Sequence, residues 1–304
     1  MTTHTRLPTH RKPTRTFSAA TPADLPDDVD LAERLATLLT TEGMQLPPLG
    51  GTAARMHRLA LDPRSTLDQV LQLIQHEPSL ALRVMRLANS AAMSPAHPAK
   101  DLRAALLRVG ILGARDMAFA LSLGAVVHAA ALREDLAGVY RHSYMVASGS
   151  HWACRAVGLD SAQGFLCGLM HDIGALGILV ALAPHVQKDA TLANRAAIRL
   201  LVDREHQQVG EDLLTTWHLP SLVVAVARWH HRPEHAGAAE PLVRLIAAVD
   251  KAAEAMAANP QDGVAPLMEL PELFVAGLSP PQVRALGVVL DEAAKDSTAD
   301  ALVA

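Results

Sequence analysis

The sequence predicts an all-α protein, built as a two-lobed helical bundle, from three observations. Half of the 304 residues are apolar, yet only 3% are aromatic, and alanine and leucine dominate. That composition favours helices, because sheets are enriched in β-branched and aromatic residues. Apolar residues recur at spacings of three and four along most of the chain, and no stretch alternates with period two. We therefore expect helices throughout and no strands.

Net charge, cysteine content and the N-terminus limit the classes of function. A formal net charge of -4 gives no global attraction to nucleic acid or to an anionic membrane. Cys154 and Cys167 form no CxxC motif, and buried reduced thiols are favoured over the alternative of a disulfide. Residues 1–12 lack the apolar core of a secretory signal, and the uncharged run 117–132 is shorter than the roughly 20 residues of a membrane span. We expect a soluble cytoplasmic protein with no membrane partner.

Residues 1–27 predict a disordered basic tail, rich in threonine, proline and alanine. Such a tail could contact nucleic acid or a phospholipid surface. Dispersed charges without interleaved aromatic residues favour a solvated tail instead, so nucleic acid is not the expected partner. The basic residues are Arg6, Arg11, Lys12 and Arg15.

Residues 28–135 predict an N-terminal lobe of six helices. Ser65 can cap the third helix, and Pro78 can occupy the first turn of the fourth, where its missing N–H costs nothing. Gly110 can end the fifth, and a long apolar helix runs from about residue 113 to 131. The six helices begin near residues 28, 52, 66, 78, 102 and 113.

A charged segment from Arg133 to Gly138 marks the boundary with a second helical lobe, residues 136–258. Its expected helices begin near residues 136, 164, 175, 206, 219 and 241. Residues 259–304 predict short helical pieces in a C-terminal tail that packs on the outside or moves.

The stretch from Gly164 to Gly174, with the sequence G-F-L-C-G-L-M-H-D-I-G, carries the main chemical signal. An apolar helix ends there in His171 and Asp172, and Gly174 is expected to stop the helix and let the chain turn. Imidazole and carboxylate are both good ligands for divalent metals. The alternative is that the pair only caps the helix, with the imidazole of His171 bonded to free carbonyl groups.

Seven polar residues of the second lobe lie where predicted helices start, end or face inward. Five imidazoles and two carboxylates suit a two-metal site, in which a carboxylate bridges ions about 3.5–4 Å apart. They favour Fe, Mn, Zn or Co over Mg or Ca. The seven are His142, His171, Asp172, His206, His230, His231 and Asp250.

Members of this set also have individual alternatives. His206 could cap a helix, and His230 and His231 could lie exposed before a proline. Asp250 could form an ion pair with Arg244 or Lys251.

The order H…HD…H…HH…D resembles the HD superfamily of metal-dependent phosphohydrolases. H-D-I-G-A-L-G-I from His171 is similar to the core motif of its HD-GYP branch. The resemblance implies that His142 is the first-helix ligand, His171 a terminal ligand and Asp172 the bridging carboxylate, and so the candidate catalytic residue. His206, His230, His231 and Asp250 then match later ligands. The implied cofactor is a divalent metal, binuclear when the ligand set is complete and absent from members that have lost part of it.

Motifs of the first lobe resemble the HDOD family, the HD-related output domains of bacterial signalling. The match runs from about residue 46 to 255. It implies a regulatory module acting through protein contacts, with a sensor, a cyclic-dinucleotide enzyme or a regulator on another chain as partner and a nucleotide as a further ligand. The motifs are L-P-P-L at 46, D-P-R-S-T-L-D-Q-V at 62, H-E-P-S-L-A-L-R-V-M-R-L-A-N-S-A at 76 and L-R-A-A-L-L-R-V-G-I-L-G-A-R-D-M-A at 102.

Two departures from the HD-GYP pattern bear on activity. Ala175 stands where H-D-x-x-K has a lysine that holds a substrate phosphate, and H-H-R-P-E-H from His230 lacks G-Y-P. The sequence therefore favours a signalling output module with a metal-binding site. Whether the chain is an enzyme stays open. The alternative is a metal-dependent phosphohydrolase acting on a cyclic dinucleotide, a nucleotide or another phosphoester. A third interpretation, the least favoured of the three, is a nucleic-acid regulator that acts through the basic tail.

Overall fold

A computed structural model describes residues 27–41, 51–93, 97–127, 132–258 and 261–295. Every regular element in these ranges is a helix, and none is a strand, which confirms the all-α prediction. The predicted basic tail up to residue 26, the L-P-P-L motif at 46 and the end of the long apolar helix at 128–131 lie outside the described residues.

Thirteen α-helices follow one another along the described part of the chain, joined by short turns and 3₁₀ segments. They are α1 (Asp27–Thr41), α2 (Gly51–Leu61), α3 (Leu67–Gln75), α4 (Pro78–Asn89), α5 (Leu102–Val127), α6 (Arg133–Val157), α7 (Ser161–Met170), α8 (Ile173–Lys188), α9 (Arg195–Thr216), α10 (Ser221–Trp229), α11 (Glu240–Ala258), α12 (Pro271–Val275) and α13 (Pro280–Lys295).

The helix boundaries of the first predicted lobe follow local signals, with one correction to the predicted N-caps. Pro78 occupies the first turn of α4, as predicted. Thr66, not Ser65, caps α3, because its side chain accepts from the backbone N–H of Gln69 while the Gln69 side chain accepts from the backbone N–H of Thr66. Gly110 has a φ of 76° and a ψ of 172°, which are not helical, so the helix that starts at Leu102 ends there as predicted and α5 consists of two helical segments joined at a kink.

The first predicted helix packs on the second predicted lobe. Helix α1 lies against α9, where Glu33 Oε1 accepts from Arg204 at 2.5 Å and Asp28 Oδ1 accepts from Asn194 at 2.8 Å. Buried apolar residues of both halves belong to one continuous core. The division of the chain at residue 135 stays a prediction.

Helix α6 lies at the centre of the protein and contacts α5, α7, α8, α11 and α13. Two glycines of α7 let it approach α6 closely: a Cβ at Gly164 would lie 2.6 Å from Cys154 Sγ, and one at Gly168 would lie 2.8 Å from Ala147 Cα. Both cysteines are buried free thiols, as predicted, and burial raises the pKa of Cys154 to about 12.

The C-terminal segment is an integral part of the packed protein. Leu286 and Leu290 of α13 are fully buried, and both would contact a Cβ added at Gly149 of α6. Gln282 Nε2 also donates to the Ala156 carbonyl at 2.9 Å. The predicted outer tail therefore helps to cover the central helix.

One helical stretch among the described residues, Gln163–Lys188, is long and apolar enough by composition to cross a membrane. Its most apolar window is 83% buried inside the protein, and the break between α7 and α8 divides it at His171 and Asp172. The stretch therefore packs as part of the core of the protein.

Candidate metal centre

The seven predicted site residues lie together in the structure, contributed by α6, the α7–α8 turn, α9, the end of α10 and α11. Their ligand atoms form two groups, each with all its atoms within 4.8 Å of one another. The first group is His206, His230 and His231, and the second is His142, His171 and Asp250. The seventh residue, Asp172, lies between them.

Asp172 faces both groups with its two carboxylate oxygens. Oδ1 lies 3.4 Å from His230 Nε2 and 3.7 Å from His206 Nε2, while Oδ2 lies 3.4 Å from His171 Nε2. Asp172 holds the N-cap position of α8, yet its side chain makes no capping hydrogen bond. Its carboxylate is therefore placed as a bridging ligand between two ions would be.

Asp250 completes the second group from α11. Its Oδ1 lies 2.8 Å from His142 Nε2 and 3.5 Å from His171 Nε2. The alternative of an ion pair with a neighbouring cation is wrong, because Arg244 pairs with Glu240 and Lys251 pairs with Glu272.

Backbone carbonyls fix the orientation of three imidazoles. Each Nδ1 lies 2.8–3.1 Å from a carbonyl oxygen three or four residues earlier, in His171, His206 and His230. A carbonyl only accepts, so each Nδ1 carries the hydrogen, and the neutral ring then presents Nε2 as a bare acceptor. This outer-shell bond is the usual companion of a metal-ligating histidine.

The Nε2 atoms of three histidines face one another in the group around His206. His206 Nε2 lies 3.3 Å from His230 Nε2 and 3.1 Å from His231 Nε2. His171 Nε2 is fully buried and has no hydrogen-bond partner among the residues that the structure describes. Because the Nδ1 atoms of His206 and His230 are bonded to carbonyls, their two Nε2 atoms are both acceptors in the neutral rings, and a proton or a cation between them would relieve this contact. The set of imidazoles and carboxylates fits Fe, Mn, Zn or Co.

The electrostatics place most of the donors in their metal-binding protonation states. Burial alone would raise the pKa of Asp172 and Asp250, but the surrounding histidines hold both well below their usual range. Burial and the neighbouring histidines lower the pKa of His231 to about 4, and burial also lowers that of His206. At His171, burial acts to lower the pKa, but Asp172 and Asp250 outweigh it and raise the value to about 9.

Gly174 has a different role from the predicted one. It lies inside the first turn of α8 and does not end a helix. A Cβ at this position would lie 1.9 Å from the His206 carbonyl oxygen and 2.6 Å from the Gly210 nitrogen. Gly174 therefore lets the backbone of α9 pass close to α8, which brings His206 next to Asp172.

The individual alternatives for the histidines resolve differently. His171 caps the end of α7 with Nδ1 and faces the centre with Nε2, so the capping and ligand interpretations hold together. His206 lies in the middle of α9 and caps no helix end. His230 is 2% exposed, whereas His231 is exposed and marks the open side of the centre.

A pocket of about 330 Å³ opens on this side, with His230, His231 and Asp250 in its wall. One face of α11 forms another side and α12 a third. From the sequence, Arg244 and Lys251 were expected only as ion-pair partners of Asp250, and no role was predicted for Glu254 or α12. The available signal was the helical spacing of one stripe on α11: Arg244, Ala247, Ala248, Lys251 and Glu254.

Comparison with known proteins identifies the family. The HDOD domain matches residues 46–233, which is more than half of the chain. This chain belongs to the HDOD family. Asp250, α11 and α12 lie beyond the matched residues, so a ligand of the centre and two sides of the pocket are not part of the match.

Solved structures share the fold. A candidate metal-dependent phosphohydrolase from Shewanella amazonensis SB2B superposes with a TM-score of 0.68 at 20% identity, covering 88% of this chain and 99% of that one. An HDOD domain protein of unknown function from Geobacter sulfurreducens gives 0.61 at 21% identity, covering 90% and 97%. A candidate signal transduction protein from Marinobacter aquaeolei VT8 gives 0.57 at 19% identity, covering 91% and 65%.

A curated relative is an uncharacterized protein of Treponema pallidum (strain Nichols). It is 22% identical over 253 residues, which cover 80% of this chain and 48% of that protein. The chain thus spans about half the length of the curated relative that it matches.

Proposed function

We propose that this HDOD protein binds two divalent metal ions at the centre around Asp172 and hydrolyses a phosphoester there. The observation that carries the proposal is the position of the Asp172 carboxylate between two groups of donors, with one oxygen toward His230 and the other toward His171. Catalysis by two metals uses such a bridged pair of ions.

The seven site residues would be divided between the two ions. Asp172 would be shared by both ions, His206, His230 and His231 would complete one shell, and His142, His171 and Asp250 the other. The ions would supply Lewis acidity, which lowers the pKa of a water toward neutrality and neutralises charge on phosphoryl oxygens. Carbonyl bonds to the Nδ1 atoms hold three rings in place, and the exposed side at His231 admits the substrate.

Metal analysis of the purified protein tests the proposal. We expect about two ions per chain from medium supplemented with iron and manganese, and loss of both in Asp172→Ala. Asp203→Ala, which removes an exposed carboxylate of α9, is the matched control and should keep the metal. Wild-type protein that takes up no ion under these conditions would contradict the proposal.

Hydrolysis is tested on the metal-loaded protein with chromogenic phosphomonoesters and phosphodiesters. We expect phosphate or alcohol release that requires added metal and disappears in Asp172→Ala. The name of the Shewanella relative, a candidate metal-dependent phosphohydrolase, supports this arm of the proposal.

A second candidate function is a signalling output module that binds metal and acts through contacts with proteins on other chains. The position of Ala175 favours it: the residue is buried in α8, so no lysine reaches a substrate phosphate from there. The name of the Marinobacter relative, a candidate signal transduction protein, agrees. Full metal occupancy without hydrolysis of any ester in the panel would decide for this second function.

A further inference from the structure

The pocket beside the metal centre is built from three walls of different chemistry. His230, His231 and Asp250 form the wall that belongs to the centre. A stripe along α11 forms the second wall, and α12 with the 3₁₀ turn at Pro233 forms the third. A ligand in this pocket would therefore touch the metal ligands at one end and protein groups that take no part in metal binding elsewhere.

The middle of the pocket is apolar and is kept open by small side chains. Ala247 and Ala248 occupy the centre of the α11 stripe, where longer side chains would fill the space. Pro271 and Val275 of α12 lie on the lining as well. Apolar walls with a few polar groups are typical of sites that hold the flat or apolar body of a small molecule.

Charged residues of both signs flank this apolar part, and the carboxylates include Glu254 and Glu272. Arg244 and Lys251 line the pocket on α11, and in the ligand-free structure their partners are Glu240 and Glu272, with both cations 37–51% exposed. Exposed ion pairs of this kind are weak, so an anionic ligand can displace the carboxylate. The arginine fork suits the oxygens of a phosphoryl group. Arg244 thus offers from α11 a cation that Ala175 does not offer from α8.

The size of the pocket separates two classes of ligand. Its volume of about 330 Å³ lies near the lower end of the roughly 300–1,000 Å³ range of small-molecule sites. A nucleoside monophosphate has one base, one sugar and one phosphoryl group, whereas a cyclic dinucleotide has two of each.

We infer that this pocket binds a phosphomonoester of nucleoside monophosphate size. The phosphoryl group contacts the metal centre and Arg244, and the base lies between Ala247 and Val275. The phosphoryl contact rests on the proposed metal function, whereas the contact of the base does not.

Calorimetric titration of the manganese-loaded full chain tests the inference, with metal content measured on each sample. The probes are four nucleoside monophosphates, inorganic phosphate and a cyclic dinucleotide. We expect at least one nucleoside monophosphate to bind tighter than inorganic phosphate and tighter than the cyclic dinucleotide. The reverse order would overturn the inference.

Two variants separate the base contact from the phosphoryl contact. Ala247→Leu fills the pocket and should weaken nucleoside monophosphate binding at least tenfold without changing metal content or phosphate binding. Val275→Asp, at an exposed wall position, should do the same if the leucine variant folds poorly. Ala257→Leu, at an exposed site of α11, is the matched control. Unchanged nucleotide affinity in both pocket variants would overturn the inference.

Arg244→Ala should weaken nucleoside monophosphate and inorganic phosphate alike by about tenfold, because a charged hydrogen bond is lost in both. Arg195→Ala, which removes another exposed arginine with a carboxylate partner, should change neither.

Titration of chelator-treated protein with the free nucleoside tests the base contact alone, because neither the metals nor a phosphoryl group is then present. Binding that Ala247→Leu removes would support the pocket even if the centre takes no metal. Metal-loaded protein that binds neither nucleoside nor nucleotide would overturn the inference while leaving the proposed metal function intact.

Discussion

Two buried polar clusters in different halves of the molecule deal with buried charge in opposite ways. On α5, Arg115 donates from Nε and Nη2 to Asp116 Oδ1 at 2.8 and 2.6 Å, and both side chains are nearly inaccessible. At the metal centre, seven groups from five parts of the chain converge, with carboxylates beside histidines and Nε2 atoms facing one another. The first cluster pairs a cation with a carboxylate within two adjacent residues, whereas the second gathers the kinds of groups that could hold a metal ion.

The pair on α5 contains its own cation. Asp116 Oδ2 has no hydrogen-bond partner within the described ranges, and burial raises the pKa of Asp116 to about 6 although Arg115 acts to lower it. The Arg115 guanidinium supplies the positive charge at this carboxylate. Buried acidic residues thus indicate a metal site only where the neighbouring groups are ligands and not cations.

The largest effect should come from breaking the self-contained pair. Asp116→Ala leaves Arg115 buried without its counter-charge, so we expect the free energy of unfolding to fall by about 3–5 kcal/mol. Chemical denaturation measures this loss. Metal content should not change, because Asp116 is not a ligand.

The matched control is Asp68→Ala. Asp68 pairs with Arg103 at the same 2.6 Å as the buried pair but with side chains 67% and 55% exposed. An exposed pair contributes at most about 1 kcal/mol. Equal losses of unfolding free energy in Asp116→Ala and Asp68→Ala would contradict the prediction, because burial would then add nothing to the cost of removing the carboxylate.

A smaller effect should come from removing one ligand of the centre. Metal at about 100 times its dissociation constant should stabilise the wild type by roughly 2.7 kcal/mol for each bound ion. In His231→Ala the gain from the ion that His206, His230 and His231 would hold should fall toward zero, whereas the gain from the ion at His142, His171 and Asp250 should remain. The metal-free stability should change by no more than about 0.5 kcal/mol, because His231 is exposed and its neighbours gain no unpaired charge. Denaturation with and without manganese measures both quantities.

His76→Ala, which removes an exposed histidine at the end of α3, is the control for this variant. A large loss in metal-free His231→Ala would mean that the centre is a structural polar cluster like the pair on α5.

Local sequence signals predicted the helices well where one residue decides the boundary. Pro78 fixes the start of α4, and the turn after Asn89 ends it. Adjacent Ser65 and Thr66 carry equivalent hydroxyl groups, and only the reciprocal bond with Gln69 distinguishes them. Such a choice depends on geometry that spacing does not encode.

The convergence of the seven site residues could be predicted because a known order of ligands accompanied them; that they bind metal stays a prediction. Long-range packing left no comparable signal. The sequence predicted Gly174 to be a helix stop, because nothing in the sequence indicates that the backbone of α9 passes close to this residue. The pocket wall from α12 was missed for the same reason, since the contact of Lys251 with Glu272 joins residues 21 positions apart.

The smallest predicted effect is a pH dependence of metal affinity, which arises because the histidines of the centre have different pKa values. The pKa of His171 is about 9 in the metal-free protein against an ordinary 6.5, so this residue stabilises the metal-free fold fully below pH 6.5 and loses that contribution as pH rises through 9. A metal ion must displace this proton. Metal affinity should therefore rise about tenfold, or 1.4 kcal/mol, per pH unit from pH 7 to 9 and then level off.

His206 and His231 have lowered pKa values and should add no slope in this range. Competition titrations with a chelator of known pH dependence measure the slope. A slope of two or three protons would show that the histidines around His206 hold protons in place of a metal, and the contrast with the self-neutralised pair on α5 would then disappear.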